Sequence, residues 1–317
     1  MKLVVTLPAY NEAKTIADVI HQIPRDIKGI DQVEVIVIDD GSVDSTVQIS
    51  KNAGAEVVSH HENMGVGTAF STGIQVALER GADIIITIDA DGQFNPHDIP
   101  TLIEPILKGD ADFTTASRFL DPHLVPDMPR IKIFGNRIFT KIVNYLTNQN
   151  FKDTQCGFRA YTKDTAIRLV LFGKFTYTQE VFLDIAKQNL RIVEVPLKVK
   201  GQRVGKSRVV SNIFSYGIKA LIIILRSVRD YKPLAFFGII SLAFIFSGVF
   251  IALFLLQHWL FTGQISPYKS LTTAASALVI IGLQMSVFAL LADMVGREMK
   301  LMRDVLYYIK VEKYNKK

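Results

Sequence analysis

Residues 84–93 read Ile-Ile-Ile-Thr-Ile-Asp-Ala-Asp-Gly-Gln, an apolar run that leads straight into two carboxylates, Asp89 and Asp91, on alternate residues. An apolar run of this length reads as a buried strand, and Gly92 lets the backbone turn sharply after it. Hard oxygen ligands of this kind suit Mg²⁺ or Mn²⁺, which is usually held by one or two carboxylates while substrate phosphates complete the shell. An Asp-x-Asp pair also occurs in ordinary surface turns, so it needs support from elsewhere in the chain. Arginines with a matching chemistry recur downstream. Arg118 follows an expected strand at residues 112–116, Arg130 precedes an amphipathic stretch, and Arg203-Val204-Gly205-Lys206-Ser207-Arg208 is a basic loop built around a glycine. Arginine forks match phosphate oxygens and stay charged at any working pH. Either Arg118 or Arg130 could instead pair with a nearby acid at the surface.

The elements around these groups point to an open α/β sheet. Leu3-Val4-Val5-Thr6-Leu7 reads as a buried strand, and Pro8-Ala9-Tyr10-Asn11-Glu12 follows as a loop opening a helix capped by Asn11. Val35-Ile36-Val37-Ile38 is a second strand, ending in Asp39-Asp40-Gly41-Ser42, with its helix expected from Asp44. A third helix opens at Asn63-Met64-Gly65-Val66-Gly67, where glycines let backbone approach a ligand and the helix N-terminus favours an anion. Strand, polar loop and helix thus recur four times before residue 110. The pattern predicts a doubly wound, mostly parallel sheet whose acidic loops gather at one edge, where such sheets bind ligands. At single positions plainer readings remain: Asp39 could cap the next helix and Tyr10 could sit at the edge of the core.

Taken together, these motifs resemble the family 2 glycosyltransferases, inverting enzymes with a GT-A fold that use nucleotide sugars. Within that family the chain is similar to the polyprenyl-phosphate glycosyltransferases, the dolichol-phosphate mannose synthase type, over about residues 1–215. The resemblance implies that Pro8, Tyr10, Glu12 and Asp39 hold the nucleoside. It implies that Asp89 and Asp91 bind Mg²⁺ or Mn²⁺ and the diphosphate, with Gln93 completing the metal site. It also implies that Arg118 and Arg130 hold a lipid phosphate, and that Arg203 and Lys206 lie in a loop that closes on the donor diphosphate. That loop has a second reading as a polybasic segment attracted to anionic lipid. Asp153-Thr154-Gln155-Cys156-Gly157-Phe158-Arg159 matches the family's loop and returning strand beneath the acceptor site, and Gln179-Glu180 fits at the start of the next helix. The Gln-x-x-Arg-Trp box of processive relatives is missing, and Trp259, the single tryptophan, reads as a membrane-interface anchor.

Composition shifts after the catalytic region. No charge interrupts residues 234–256 or residues 271–292, and 23 helical residues reach about 34 Å against a hydrocarbon core of about 30 Å. Arg226, Arg229 and Lys232 precede the first run, and Arg297, Lys300 and Arg303 follow the second, while the connecting loop carries only Lys269. By the positive-inside rule both flanks, the catalytic domain and both chain ends face the cytoplasm. The expected organisation is a GT-A catalytic domain at residues 1–210, an amphipathic juxtamembrane helix at 211–232, two transmembrane helices at 233–296 and a basic tail at 297–317. Because the chain enters an apolar strand at once and that stretch ends in Pro8, a signal peptide is not expected before the first strand. With Cys156 alone, an intrachain disulfide is impossible.

A net charge of +6 does not call for nucleic acid, because the basic residues cluster at the membrane borders and beside the expected site. Residues 131–146 interleave Lys132, Arg137 and Lys141 with Ile133, Phe134, Ile138, Phe139, Ile142 and Val143. Such a helix either lies in the headgroup layer or packs its apolar stripe on the sheet. The expected partners are a GDP- or UDP-linked sugar, a polyprenyl phosphate and membrane lipid. A hydroxyl acceptor would need a general base, for which Asp153 and Glu180 are the candidates. Two other classes stay open: a nucleotidyltransferase, which would release pyrophosphate, and a noncatalytic membrane scaffold.

Overall fold

The computed structural model describes residues 1–170, 177–200 and 225–315. It divides into two units, Met1–Ile213 with Leu306–Lys317, and Phe214–Val305. In the first unit the order is β1 (Lys2–Ala9), α1 (Ile16–His21), β2 (Gln32–Asp39), α2 (Thr46–Asn52), β3 (Glu56–Ser59), α3 (Val66–Glu79), β4 (Ile84–Thr87) and α4 (Ile99–Leu107). It continues with β5 (Phe113–Ser117), α5 (Arg130–Thr147), β6 (Arg159–Thr162), α6 (Lys163–Arg168), α7 (Tyr177–Lys187) and β7 (Ile192–Pro196). The seven strands lie in the order β3-β2-β1-β4-β6-β5-β7, with β6 antiparallel to both β4 and β5 and the other pairs parallel.

Both faces of this sheet are covered, which is why β1, β2 and β4 are almost wholly apolar rather than alternating. Leu3, Val5, Leu7, Val35, Val37, Ile84 and Ile86 share one core with Ile16, Val19 and Ile20 of α1 and Leu102, Ile103 and Ile106 of α4. On the opposite face α3 packs so closely that a Cβ at Gly73 would stand 3.2 Å from Thr6 Cβ. The strand order reverses between β1 and β4, so the crevice outside their carboxyl ends is where an open α/β sheet binds ligands.

Two helix starts differ from expectation. Asn11 does not cap α1, which begins at Ile16; Asn11 instead takes a left-handed conformation, φ 53°, and its Oδ1 accepts from Val43 N at 2.9 Å. The asparagine serves the loop because a short amide tolerates positive φ and can bond neighbouring backbone. The second helix also begins later than expected, at Thr46 rather than Asp44, whose Oδ1 accepts from Thr46 N at 3.0 Å.

The second unit contains helical residues 225–231, then α8 (Pro233–Thr262) and the first part of α9 (Lys269–Asn315). Both long helices are apolar enough to cross a membrane, and only 17% of the most apolar window of each is buried. So little burial differs from the mostly buried core helix of a soluble domain. The two helices meet through small residues: Ser241 Oγ donates to Gly282 O at 2.7 Å, and a Cβ on Gly248 would stand 2.9 Å from Ala275 O. Close backbone approach is how helices associate where water supplies no hydrophobic drive.

Residues 297–317, read from sequence as a tail, stay helical as far as Asn315. The last turns pack in the first unit. Tyr307 Oη donates to Asp164 Oδ1 at 2.6 Å, the Arg168 guanidinium lies 4.1 Å from the Tyr307 ring centroid, and Lys310 Nζ donates to Leu169 O at 2.8 Å.

Candidate active site

The parallel strands β1 and β2 end in register, Ala9 beside Asp39, and Asp40 N donates to Ala9 O at 2.8 Å. Two loops leave these ends and are laced together by short side chains. Asn11 N donates to Ser42 Oγ at 2.8 Å, Glu12 N to Thr46 Oγ1 at 2.8 Å, and Ser42 N to Asp39 Oδ1 at 3.1 Å. Pro8, Tyr10, Glu12 and Asp39 therefore share one sheet edge. Asp39 is only 2% exposed, so its carboxylate is an acceptor in a largely dry setting. A carboxylate there can receive the N–H or hydroxyl groups of a nucleoside, and Tyr10 can pack on a ring.

β4 ends beside β1, and Thr15 Oγ1 donates to Ala90 O at 2.8 Å, which fastens the acidic turn to the first loop. Asp89 and Asp91 leave this turn, with Asp91 Oδ1 accepting from Gln93 N at 3.0 Å. Gln93 is clasped by Lys200: its carbonyl accepts from Lys200 N at 3.0 Å, and its Nε2 donates to Lys200 O at 3.3 Å. That leaves Oε1 as the end of the amide a cation would take. Among the described residues no three His, Cys, Asp or Glu side chains form a closed metal cage. Two carboxylates and an amide oxygen instead fit an open site for a hard cation that substrate phosphates would finish. Arg203 and Lys206, with the rest of the basic loop at 203–208, lie outside the described residues.

Arg118, just past β5, is held differently. It makes a bidentate pair with the fully buried Asp153, Nε to Oδ2 at 2.6 Å and Nη2 to Oδ1 at 2.9 Å. Burial works against the charge on Arg118, yet the hydrogen bonds and charge of Asp153, with Asp89 farther off, hold its pKa above the ordinary value. Burial likewise opposes ionised Asp153, but Arg118 and the amide of Asn136, donating at 2.9 Å, keep its pKa below the ordinary range. Glu194 sits behind them, accepting from Asp153 N and Ser117 Oγ at 2.8 Å each, with its pKa raised by burial. Burial also pushes the Cys156 thiol up to about 12, so it is inert near neutral pH. Arg130 opens α5 and is exposed. Among the described residues it has no ion-pair partner.

A family model described as glycosyl transferase family 2 matches residues 4–169. The chain belongs to this family. Glycosyltransferase AglJ of Haloferax volcanii is 28% identical over 290 residues, covering 91% of each chain. The UDP-N-acetylglucosamine--dolichyl-phosphate N-acetylglucosaminyltransferase of Methanococcus voltae is 35% identical over 213 residues, 61% of this chain and 83% of that protein. The undecaprenyl-phosphate mannosyltransferase of Micrococcus luteus is 28% identical over 222 residues, 67% of this chain and 89% of that protein. In fold the chain is similar to glucosyl-3-phosphoglycerate synthase from Mycobacterium tuberculosis, whose structure with Mn²⁺, UDP-glucose and glycerol 3-phosphate superposes with a TM-score of 0.54 at 23% identity. That likeness covers 72% of this chain and 79% of the other.

For a family 2 glycosyltransferase the site contains more than its acidic motifs reveal. Asp40, next to Asp39, is 3% exposed and accepts from Met64 N and Gly65 N at 2.9 Å each. Its Oδ1 also meets His60 Nδ1 at 2.8 Å, and His60 Nε2 meets Thr72 Oγ1 at 3.0 Å. This chain ties β2 to the start of α3. The doubled Asp39-Asp40 is the signal that sequence reasoning passed over. Asn136 and Glu194 gave no local signal, since each acts on Asp153 from another element. Glu180, the other base candidate, lies in the first turn of α7.

Proposed function

We propose that this family 2 glycosyltransferase moves a sugar from a nucleotide sugar to a polyprenyl phosphate at a membrane surface, with inversion at the anomeric carbon. The observation that carries the acceptor is the state of Asp153. A hydroxyl acceptor needs a base near the reacting carbon, and of the two candidates, Asp153 and Glu180, Asp153 is fully buried, doubly bonded to Arg118 and held below the ordinary carboxylate range. Such a group is a poor proton acceptor at neutral pH. A phosphate acceptor arrives ionised and needs no base. The names of the Methanococcus voltae and Micrococcus luteus relatives point to the same acceptor class.

In this reading Pro8, Tyr10, Glu12 and Asp39 seat the nucleoside, and Asp89, Asp91 and Gln93 hold Mg²⁺ or Mn²⁺. When bound, the cation neutralises the nucleoside diphosphate that leaves. Arg203 and Lys206 add positive charge toward the same diphosphate. Arg118 and Arg130 orient the acceptor phosphate, one oxygen of which forms the new bond to the anomeric carbon as the bond to the diphosphate breaks on the opposite face. Orientation and charge neutralisation supply the catalysis. Besides the buried side of α5, formed by Asn136, Phe139, Thr140 and Val143, the helix exposes Ile131 and Phe134 among Arg130, Lys132, Arg137 and Lys141. That mixture suits an anionic headgroup layer.

The domain plan follows from the same reading: residues 1–210 catalytic, 211–232 juxtamembrane, 233–296 spanning and 297–317 returning to the cytoplasm. Incubating membranes with a panel of labelled UDP- and GDP-sugars and extracting the lipid phase tests the function. Label should enter the lipid in an alkali-stable, polyprenyl-phosphate-linked form only with divalent cation, and release of pyrophosphate would point to nucleotidyl transfer instead. For orientation, cysteines placed at Thr262 or Gly263 should react with an impermeant reagent from outside intact cells, and ones near Lys316 should stay protected.

A further inference from the structure

Gly157 lies between the buried residues Cys156 and Phe158. Its backbone is outside the left-handed region that would itself require glycine. Space explains it instead: a Cβ there would stand 2.7 Å from Asp89 Oδ2 and 3.2 Å from both Asp89 Cγ and Oδ1. The carboxylate thus lies directly over a bare Cα. The loop beneath it is braced. Thr87 Oγ1, at the end of the strand that leads to Asp89, donates to Gly157 O at 3.2 Å. The buried Arg159 reaches back with Nε to Cys156 O at 2.8 Å and with Nη2 to Thr154 O at 3.1 Å. Asp153, at the loop's start, is pinned by Arg118.

We propose that Gly157 is a positioning residue for the cation site: its missing side chain gives the Asp89 carboxylate its seat, so loop 153–157 sets where that carboxylate meets the metal. The inference rests on the assignment of Asp89 to the cation made above. It makes one backbone position the junction of the two substrate sites, because the loop that fixes the acceptor-side charges is also the floor under a donor-side ligand. Groups behind a metal ligand matter for affinity because they fix the ligand's orientation. The atom in the way of a new Cβ is the free end of a side chain rather than backbone. Gly157→Ala therefore displaces the carboxylate and leaves the fold in place.

Mn²⁺ titration of the purified full chain, followed by the paramagnetic resonance of free Mn²⁺ at a fixed concentration of UDP or GDP, tests this. Gly157→Ala should bind Mn²⁺ about ten- to a hundredfold more weakly, with an unchanged thermal midpoint in metal-free buffer. On an Asp89→Ala background the same substitution should add no further loss, since its effect runs through that carboxylate. Wild-type affinity in Gly157→Ala, or a full second loss on the Asp89→Ala background, would overturn the proposal. A wild-type chain that binds no Mn²⁺ in either series fails the cation assignment itself, an outcome distinct from a binding wild type with an indifferent variant. Should Gly157→Ala unfold, Thr87→Val, which removes the hydroxyl from Gly157 O, carries the comparison: weakened Mn²⁺ binding supports the role and unaltered binding rejects it.

Discussion

On the side assigned above to the nucleotide, the loops after β1 and β2 are held by backbone N–H groups donating to Ser42, Asn11, Thr46 and Asp39. On the side assigned to the acceptor, the loop after β5 is held by a buried ion pair, Arg118 with Asp153, backed by Asn136 and Glu194. The two constructions respond differently to damage. Hydrogen bonds from short side chains contribute about 1 kcal/mol each and fail one at a time. A buried ion pair that loses one member leaves the other charge stranded, at a cost of about 3 to 5 kcal/mol. The nucleotide side can therefore be tuned in small steps, while the acceptor side is intact or lost.

The largest effect belongs to neither lattice but to the group assigned to the cation. Asp91→Ala should lower lipid-linked product by about a thousandfold, the scale of losing one preorganised charge stabiliser, while the chain stays folded and inserted. Near-wild-type turnover in this variant, or in wild type stripped of divalent cation, would remove Asp91 from the site.

Asp153→Ala comes next, and it separates the two constructions directly. It should lower unfolding stability by about 3 to 5 kcal/mol, far more than any single substitution among Ser42, Asn11 and Thr46. The pH dependence has a definite sign. The folded pKa of Asp153 lies below its ordinary value of 3.8, so the pair's contribution is complete above that value and is lost as pH falls through the depressed one. Glu194 has the opposite sense: its raised pKa means that ionisation costs stability as pH climbs from 4.5 through the folded value. Thermal midpoints across the acid range, compared with those of Glu194→Gln, separate the two contributions. An Asp153→Ala midpoint within a degree of wild type would refute the ion-pair account.

The same contrast explains how far the sequence could be read. The apolar runs of β1, β2 and β4, the polar loops after them and the acidic turn are neighbours along the chain, so local pattern places Pro8, Tyr10, Glu12, Asp39, Asp89 and Asp91 at one sheet edge. Asp153 meets Arg118 across 35 residues, its N–H meets Glu194 across 41, and Gln93 reaches Lys200 across 107. No period or spacing encodes such pairings, and for Arg118 the readings from sequence were a lipid phosphate or a nearby surface acid, not the buried Asp153. The cap at Asn11 misled for a related reason: an asparagine before an apolar run signals a helix start, yet the amide was recruited by Val43 in the neighbouring loop.

Arg130 tests whether the acceptor side extends beyond its buried pair. It is exposed at the first turn of α5 and belongs to no internal ion pair among the described residues, so Arg130→Ala should leave stability unchanged. Transfer efficiency should fall about ten- to a hundredfold through loss of charge-assisted hydrogen bonds to the acceptor phosphate. Calorimetry with nucleoside diphosphate and Mn²⁺ should show donor binding as in wild type; a loss of nucleotide affinity would move Arg130 to the other half of the site.

The smallest expected effect is the most specific to the nucleotide side. Ser42 Oγ accepts from Asn11 N, while Ser42 N donates to Asp39 Oδ1, so this serine stands between the loop that carries Tyr10 and Glu12 and the carboxylate assigned to the nucleoside. Ser42→Ala removes only the first of these bonds and leaves the second, because a backbone N–H survives the substitution. The stability change should be about 1 kcal/mol, and the loop after β1 should loosen without moving Asp39. Donor KM should then rise by a few fold, at the scale of that single bond, with kcat and acceptor KM unchanged, since no group assigned to the reacting atoms moves. A matching fall in kcat would mean that the loop positions the sugar as well as the nucleoside, and the division between a finely divided nucleotide side and an all-or-none acceptor side would have to be redrawn around β1.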